Sequence, residues 1–217
     1  MHISEGFLPL KQAALWAVAA APFLARGVRH IEGTHENRYF LAASAGYLFT
    51  LTALKLPSVA GSSSHATGVA LGTVLVGPAV LPALSLIVLL FQALLTAHGG
   101  LTTLGANVFS LGVAGPWVTW LVWRGGLRIG LGERPALAVG TVIGSLSTYA
   151  CTSLQLALAH PDTQGGVNTA FARFAAVFSV TQIPVAVVEA MFTLAVLQVM
   201  ARTPGMRHQA LAGWARR

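Results

Sequence analysis

The segment Phe174–Met200, with the sequence FAAVFSVTQIPVAVVEAMFTLAVLQVM, indicates the class of fold. It holds one charged residue, Glu189, and exceeds the roughly 20 apolar residues with which a helix crosses a bilayer. Pro184 predicts an interruption of this helix. Because an ionisable side chain is unfavourable in lipid, Glu189 is expected to face the interior of a helical bundle, on the same helix face as Gln182. A structural and a functional role stay equally open for it.

The composition of the whole chain is typical of a membrane protein. Of its 217 residues, 55% are hydrophobic and only 9% are charged, which excludes an ordinary soluble domain. The single cysteine, Cys151, excludes a disulfide framework. The excess of 13 Lys and Arg over 6 Asp and Glu does not indicate nucleic acid, because the cations lie between apolar runs rather than along one face.

Six further apolar segments precede Phe174–Met200 in the chain, at 10–24, 39–56, 69–76, 81–97, 108–123 and 136–158. The predicted fold class is therefore all-α, a polytopic bundle of about seven transmembrane helices. The segment 69–76 is too short to span a bilayer alone, which predicts a tilted helix or a re-entrant loop. We expect a single membrane domain, with a metal-chelating segment at 1–9, the bundle at 10–201 and a basic tail at 202–217.

Seven spans place the termini on opposite sides of the membrane, and the cations indicate which. Ten arginines fall on one side, in loops predicted at 26–38 and 124–134 and in the C-terminal tail, against three Lys or Arg residues on the other. An excess of cations marks the cytoplasmic side, so the N-terminus is predicted outside and the C-terminus in the cytoplasm. The outer side then carries Met1, His2, His65, His98 and His160.

The first nine residues, MHISEGFLP, hold a metal-binding pattern. A free amine on Met1, the peptide nitrogen of His2 and its ring Nδ1 can close two fused chelate rings on one ion, provided that nothing precedes Met1. Three coplanar nitrogens suit tetragonal ions such as Ni(II) or Cu(II), and they leave one position in the plane. The alternative is that His2 is an ordinary residue at a frayed terminus.

His65 is the candidate for that fourth nitrogen. It follows the small residues at 61–64, where the backbone can pass close to another segment or to a ligand. In the alternative interpretation it is a loop histidine that faces water. Ligands shielded from water need polar neighbours that orient them, and the candidates are Ser62, Ser63, Ser64, Thr102 and Asn107.

His98 ends the fourth apolar segment, just before Gly99-Gly100. It could be a ligand or part of an access path for the ion. The pattern favours a helix-terminal residue that bonds to loop carbonyl groups. Two glycine pairs, Gly68–Gly72 and Gly140–Gly144, fit the small-xxx-small pattern and predict close packing of helices.

The chain carries no nucleotide-binding P-loop. That motif needs Gly-Lys-Ser/Thr, whereas the two lysines, Lys11 and Lys55, each follow leucine. A pair of acidic groups for proton coupling is also missing, since Glu189 is alone in the predicted spans. Active transport would therefore draw its energy from another subunit.

Three motifs together, MHISEGFLP at 1–9, GSSSHATG at 61–68 and HGGLTTLGAN at 98–107, resemble the CbiM/NikM family. Its members are the substrate-binding membrane components of energy-coupling factor transporters for cobalt and nickel. The resemblance implies that Met1, His2 and His65 hold the ion, and it implies a bacterial inner-membrane location. It also implies a CbiQ-like coupling subunit, two CbiO-like ATPases and the small membrane protein CbiN. Co(II) uptake for cobalamin synthesis is the favoured function, with Ni(II) as the alternative.

Two other classes of function stay open on the residues alone. A membrane-embedded metalloenzyme would use His65, His98 and Glu189, and would need an open coordination position for water. A structural or ion-conducting subunit would use the histidines only to line a pore. The first predicts turnover by the isolated protein, and the second predicts no stoichiometric metal.

Overall fold

A computed structural model describes residues 2–33, 38–54, 56–57 and 62–203, with the backbone alone at 56, 57, 62 and 63. Helices make up most of it, so the all-α prediction is confirmed. The helices are α1 (Leu10–Gly33), α2 (Arg38–Ala53), α3 (Val69–Val76), α4 (Leu81–Thr96), α5 (Leu104–Val108), α6 (Gly115–Arg128), α7 (Glu133–Ala159) and α8 (Gly166–Arg202). A π-helical segment, Phe109–Ala114, joins α5 to α6.

Two helices of the described chain, α7 and α8, are long and apolar enough to cross a membrane, and α4 is apolar but shorter. The outer face of α8 is apolar as well as exposed: Val180, Val188 and Met191 are 74%, 63% and 68% exposed. An apolar face of this kind suits contact with lipid. The count of seven spans and the orientation of the termini stay predictions.

Several predicted boundaries are wrong because helices continue beyond the apolar runs. Helix α1 extends to Gly33, through the first part of the loop predicted at 26–38, and α6 extends to Arg128, into the loop predicted at 124–134. Arginine is a good helix former, so a basic segment outside the apolar run can stay helical. Helix α8 begins at Gly166 and runs through Pro184 without the predicted interruption. The described part of the tail ends at 203.

A small antiparallel sheet lies beside the bundle. Its strands are β1 (His2–Ile3), β2 (Leu56–Pro57) and β3 (Ser62–Ser64), in the order β1-β3-β2. His2 pairs with Ser63 and Ile3 with Ser62. The small residues before His65 thus include a strand, and that strand brings the N-terminal segment alongside Ser62 and Ser63.

The N-terminal segment belongs to the core of the bundle. Ile3 is fully buried and Leu8 nearly so, in one cluster with Tyr149 of α7 and Phe178 of α8. Burying an apolar side chain of this size stabilises a structure by about 1.5–3 kcal/mol relative to leaving it exposed. This packing places His2 inside the protein, so the interpretation of a frayed terminus is wrong from residue 2 onward.

Helix α7 packs against both α6 and α8. The contact with α6 depends on the predicted glycine pair. A Cβ added at Gly144 would lie 1.8 Å from Oγ1 of Thr119, and one at Gly140 would lie 3.0 Å from the Thr119 carbonyl oxygen. The close approach predicted for this pair is confirmed.

Candidate metal centre

Strand β1 presents His2 to the protein interior, where its side chain is 1% exposed. Both backbone polar groups of the next residue, Ile3, are hydrogen-bonded. Its N–H donates to Oδ1 of Asn107 at 2.7 Å, and its carbonyl oxygen accepts from Nδ2 of Asn107 at 3.0 Å and from Oγ1 of Thr103 at 2.7 Å. Asn107 therefore acts on the backbone of the N-terminal segment and fixes the position of His2.

A second contact, at Glu5, holds the same segment at the protein surface. The carboxylate of Glu5 accepts from the hydroxyl of Thr102 and, at 3.1 Å, from its backbone N–H. The hydroxyl bond lowers the pKa of Glu5. A Cβ at Gly100 would lie 2.5 Å from Cα of Glu5, so only glycine allows this approach. Glu5 was missed from the sequence, since a single exposed acid has no distinguishing pattern.

His160 fixes the far end of the segment. Its Nε2 lies 2.8 Å from the carbonyl oxygen of Phe7, and its ring contacts the ring of Phe7 edge-on. Because a carbonyl group only accepts, Nε2 carries the proton. His160 follows α7 directly, so the C-terminal end of this helix lies beside Phe7.

His65 lies in the loop between β3 and α3, and its side chain is 1% exposed. Its Nδ1 lies 2.8 Å from the carbonyl oxygen of Ala66 and must donate to it, which leaves the lone pair on Nε2. Nε2 makes no hydrogen bond to any described residue. Burial lowers the pKa of the ring, so it stays neutral. A neutral imidazole with a free, buried Nε2 is the form that binds a metal ion.

Two residues of the bundle hold the backbone around His65. The hydroxyl of Tyr149 donates to the His65 carbonyl oxygen at 2.8 Å and accepts from the His65 N–H at 3.3 Å. Oγ of Ser64 lies 2.9 Å from Oγ1 of Thr181. The loop is thus attached to α7 at His65 and to α8 at Ser64.

His98 follows α4, whose last turn closes with Ala97 in the left-handed region at φ 46°. Its backbone N–H donates to the carbonyl oxygen of Gln92, which belongs to α4, whereas the helix-terminal interpretation predicts a bond to a loop carbonyl group. Its ring nevertheless lies inside the protein, 3% exposed, with Nε2 3.1 Å from Nδ1 of His2. The sequence therefore predicted that His98 lies at a helix end, and it did not predict the position of its ring.

Three imidazoles come together as a result. The centroid of the His2 ring lies 4.6 Å from that of the His65 ring and 4.3 Å from that of the His98 ring. One ligand nitrogen from each lies within 4.8 Å of the other two. Metal–imidazole bonds are about 2.0–2.1 Å long, which puts opposite ligands about 4 Å apart, so this spacing suits one ion.

The other predicted residues take different places. The backbone N–H of Thr102 donates to Glu5, and the side chain of Asn107 bonds to the backbone of Ile3. Met1 lies outside the described residues, and so do the side chains of Ser62 and Ser63. The role of Met1 as a ligand and the roles of Ser62 and Ser63 as polar neighbours of the ligands stay predictions.

The chain matches known proteins along nearly all of its length. A family model named CbiM, described as "Cobalt uptake substrate-specific transmembrane region", matches residues 2–206. The chain is 50% identical over 208 residues to the cobalt transport protein CbiM of Roseiflexus sp. (strain RS-1), a region that covers 92% of this chain and 82% of that protein. It is 50% identical over 200 residues to the cobalt transport protein CbiM of Thermosynechococcus vestitus, covering 90% and 78%.

Solved structures agree with this match. The chain is 25% identical in sequence to a transition metal transporter of known crystal structure. The two folds match with a TM-score of 0.79, over 92% of this chain and 94% of that one. A truncated transition metal transporter is 26% identical with a TM-score of 0.77, covering 91% and 99%. The resemblance predicted from three short motifs is confirmed over the length of the chain, which belongs to the CbiM family of cobalt-uptake transmembrane proteins.

Proposed function

We propose that this chain is the substrate-binding membrane component of an energy-coupling factor importer for Co(II), with Ni(II) as the alternative substrate. A role in metal uptake agrees with the family and with the transition metal transporters of similar fold. The observation that carries it further is the buried cluster of His2, His65 and His98, whose ligand atoms lie within 4.8 Å of one another. Three imidazoles buried away from bulk water favour a divalent transition metal over Mg²⁺ or Ca²⁺, which prefer oxygen ligands.

The ion arrives from the outer side and replaces protons on the ligands. The amine of Met1, the peptide nitrogen and Nδ1 of His2, and Nε2 of His65 then hold it in a plane. Nε2 of His65 suits this role because Nδ1 donates to Ala66 and fixes the tautomer. The hydrogen bonds of Asn107 and Thr103 to Ile3 fix the residue that directly follows the chelating residues.

His98 orients the ring of His2 in this scheme. One of the two facing nitrogens has to carry a proton, and Nδ1 of His2 offers its lone pair to the ion when that proton is on Nε2 of His98. An ion bound at Nδ1 replaces the hydrogen bond, and the ring of His98 then lies next to the coordination plane.

The coupling subunit and ATPases belong to the same proposal. Uptake against a gradient needs an energy source, and the sequence contains no P-loop. We therefore place ATP hydrolysis on two CbiO-like subunits, with a CbiQ-like coupling protein and CbiN in the same membrane, and we assign the imported cobalt to cobalamin synthesis.

The metalloenzyme alternative is weakened by the position of Glu189. A general base needs a free carboxylate oxygen near the metal-bound water. Both oxygens of Glu189 instead accept hydrogen bonds from Thr67, Gly68 and Ser145. Its carboxylate is thus occupied by the backbone of the loop that follows His65.

The test is a titration of the purified protein with Co(II) and Ni(II), with its native Met1 and with a glycine-serine segment of several residues added ahead of it. The added segment moves the amine too far from the histidine to share a chelate with it, so we expect the extended protein to lose the ion while the native protein binds one equivalent. An equal addition at the C-terminus is the control. Equal binding by all three proteins would exclude Met1 as a ligand.

A further inference from the structure

Glu189 lies in the middle of α8 and is 1% exposed. Its carboxylate accepts four hydrogen bonds. Oε2 accepts from the backbone N–H of Thr67 at 2.8 Å and from Oγ of Ser145 at 3.2 Å. Oε1 accepts from Oγ1 of Thr67 at 2.6 Å and from the N–H of Gly68 at 2.8 Å. This single side chain therefore links α8 to the start of α3 and to α7.

Both oxygens of Glu189 act as hydrogen-bond acceptors. Two of its four partners are backbone N–H groups, which only donate. The hydroxyl of Thr67 also lies 3.4 Å from the N–H of Val69, whose proton points to its oxygen, so the hydroxyl proton is directed at Glu189. Of the four partners, only the hydroxyl of Ser145 could accept a proton from Glu189 instead of donating one. Three fixed donors therefore hold the carboxyl group in place.

Three of the four donors belong to the loop that carries His65. Gly68 has a φ of 68°, in the left-handed region, and this turn directs the N–H groups of residues 67 and 68 to the same anion. Successive N–H groups in such a turn form a concave anion site. Together with Tyr149, which holds both sides of the His65 peptide, the carboxylate fixes the loop from His65 to Gly68.

We propose that Glu189 is the positioning residue for the metal ligand His65, and that through it α8 sets the geometry of the metal centre. The carboxylate holds residues 67 and 68, Tyr149 holds residue 65, and the ring of His65 is thereby kept beside that of His2. This inference rests on the proposed metal-binding function. It assigns the one acidic residue of α8 to the substrate site without making it a ligand.

The experiment compares four variants of the full chain with its native Met1, each titrated with Ni(II) against a competing chelator and measured by its ligand-field absorption. Glu189→Gln keeps the shape but offers an amide to N–H donors. Thr67→Val and Ser145→Ala each remove one hydroxyl from the same carboxylate, the first on the metal loop and the second on α7. Thr193→Val is the control, since Oγ1 of this buried α8 residue bonds to no described residue.

We expect Glu189→Gln to weaken Ni(II) binding by about 10–100-fold, the usual cost of removing a partner that orients a ligand. Its ligand-field spectrum should also shift, because His65 no longer holds its angle. Thr67→Val should weaken binding more than Ser145→Ala does, and Thr193→Val should bind as the unchanged protein does.

Unchanged affinity and spectrum in Glu189→Gln would overturn the inference. Should that variant fail to fold, the pair Thr67→Val and Ser145→Ala decides, and equal effects of the two would overturn it as well. Failure of the unchanged protein to bind Ni(II) or Co(II) would instead overturn the proposed function itself, so the two failures are distinguishable.

Discussion

At the scale of single residues, the metal centre depends on which nitrogen of each histidine is free. Nδ1 of His65 donates to Ala66, so its Nε2 is the nitrogen available to a metal ion, and Nε2 of His160 donates to Phe7, so that ring bonds to the backbone instead. The sequence pattern selected His2 and His65 correctly as neighbours. It could not predict that the ring of His98 turns inward, because this depends on the left-handed turn at Ala97.

Substitution of His65 by Ala should reduce the affinity for Co(II) and Ni(II) by more than the roughly 10–100-fold expected for an orienting residue. It removes a ligand whose loop stays attached through Tyr149. His98→Ala should have a smaller effect, since that ring lies beside the plane. Competition titration measures both, with His30→Ala on the exposed end of α1 as the control. A larger loss in His98→Ala than in His65→Ala would contradict the assignment of the plane.

Binding should weaken as the pH falls, because the ligands bind without their protons. Burial lowers the pKa of His65, so this ring is already neutral near pH 7 and releases no proton there. The protons released come from the peptide nitrogen of His2 and from the protonated fraction of the amine, whose ordinary pKa is about 7.7–8.0. Titration calorimetry in buffers of different ionisation enthalpy measures the number of protons released on metal binding. Release of no proton near pH 7 would indicate a site made of imidazoles alone.

At the scale of elements, apolar runs predicted where helices lie but not where they end. Arg26 and Arg29 continue α1, and Pro184 leaves α8 unbroken. The sheet was missed because strands of two or three residues have too few positions to show an alternating pattern. Its formation depends on the docking of Ile3 against α5, a long-range contact.

Replacement of Asn107 by Leu should test that docking. It removes both side-chain bonds to the Ile3 peptide, and a buried polar group left without a partner costs about 1–3 kcal/mol. We expect a lower thermal midpoint and weaker Ni(II) binding. Ser110→Ala, in which the lost hydroxyl bonds only to its own helical turn, is the control. Full retention of Ni(II) affinity in Asn107→Leu would show that the chelate does not need this support.

The contact between α6 and α7 gives a second test at this scale. Gly144→Ala places a methyl group 1.8 Å from Oγ1 of Thr119, and such overpacking costs about 1–3 kcal/mol. Gly125→Ala on α6 meets nothing within 4 Å and should be neutral or stabilising by about 0.5–1 kcal/mol. Thermal unfolding in detergent compares the two. Equal midpoints would mean that the helices are not as close as described.

At the scale of the whole molecule, one buried anion and one short sheet join the metal centre to the bundle. Helix α7 carries Tyr149, Ser145 and Gly144, so it supports the loop of His65 and packs closely on α6. Reconstituted alone in vesicles, the protein should bind metal without accumulating it if, as proposed, the energy for uptake comes from other subunits. Accumulation of Co(II) inside vesicles that contain ATP should appear only when the coupling and ATPase subunits are present.

X-ray absorption spectroscopy of the native protein loaded with one equivalent of Ni(II) or Co(II) examines the ligands directly. We predict a nitrogen shell with outer scattering from the imidazoles of His2 and His65, and for Ni(II) the pre-edge feature of a planar site. That scattering should decrease in His65→Ala. An oxygen-rich octahedral shell, or a spectrum that is the same in His65→Ala, would contradict a planar nitrogen site at the N-terminus.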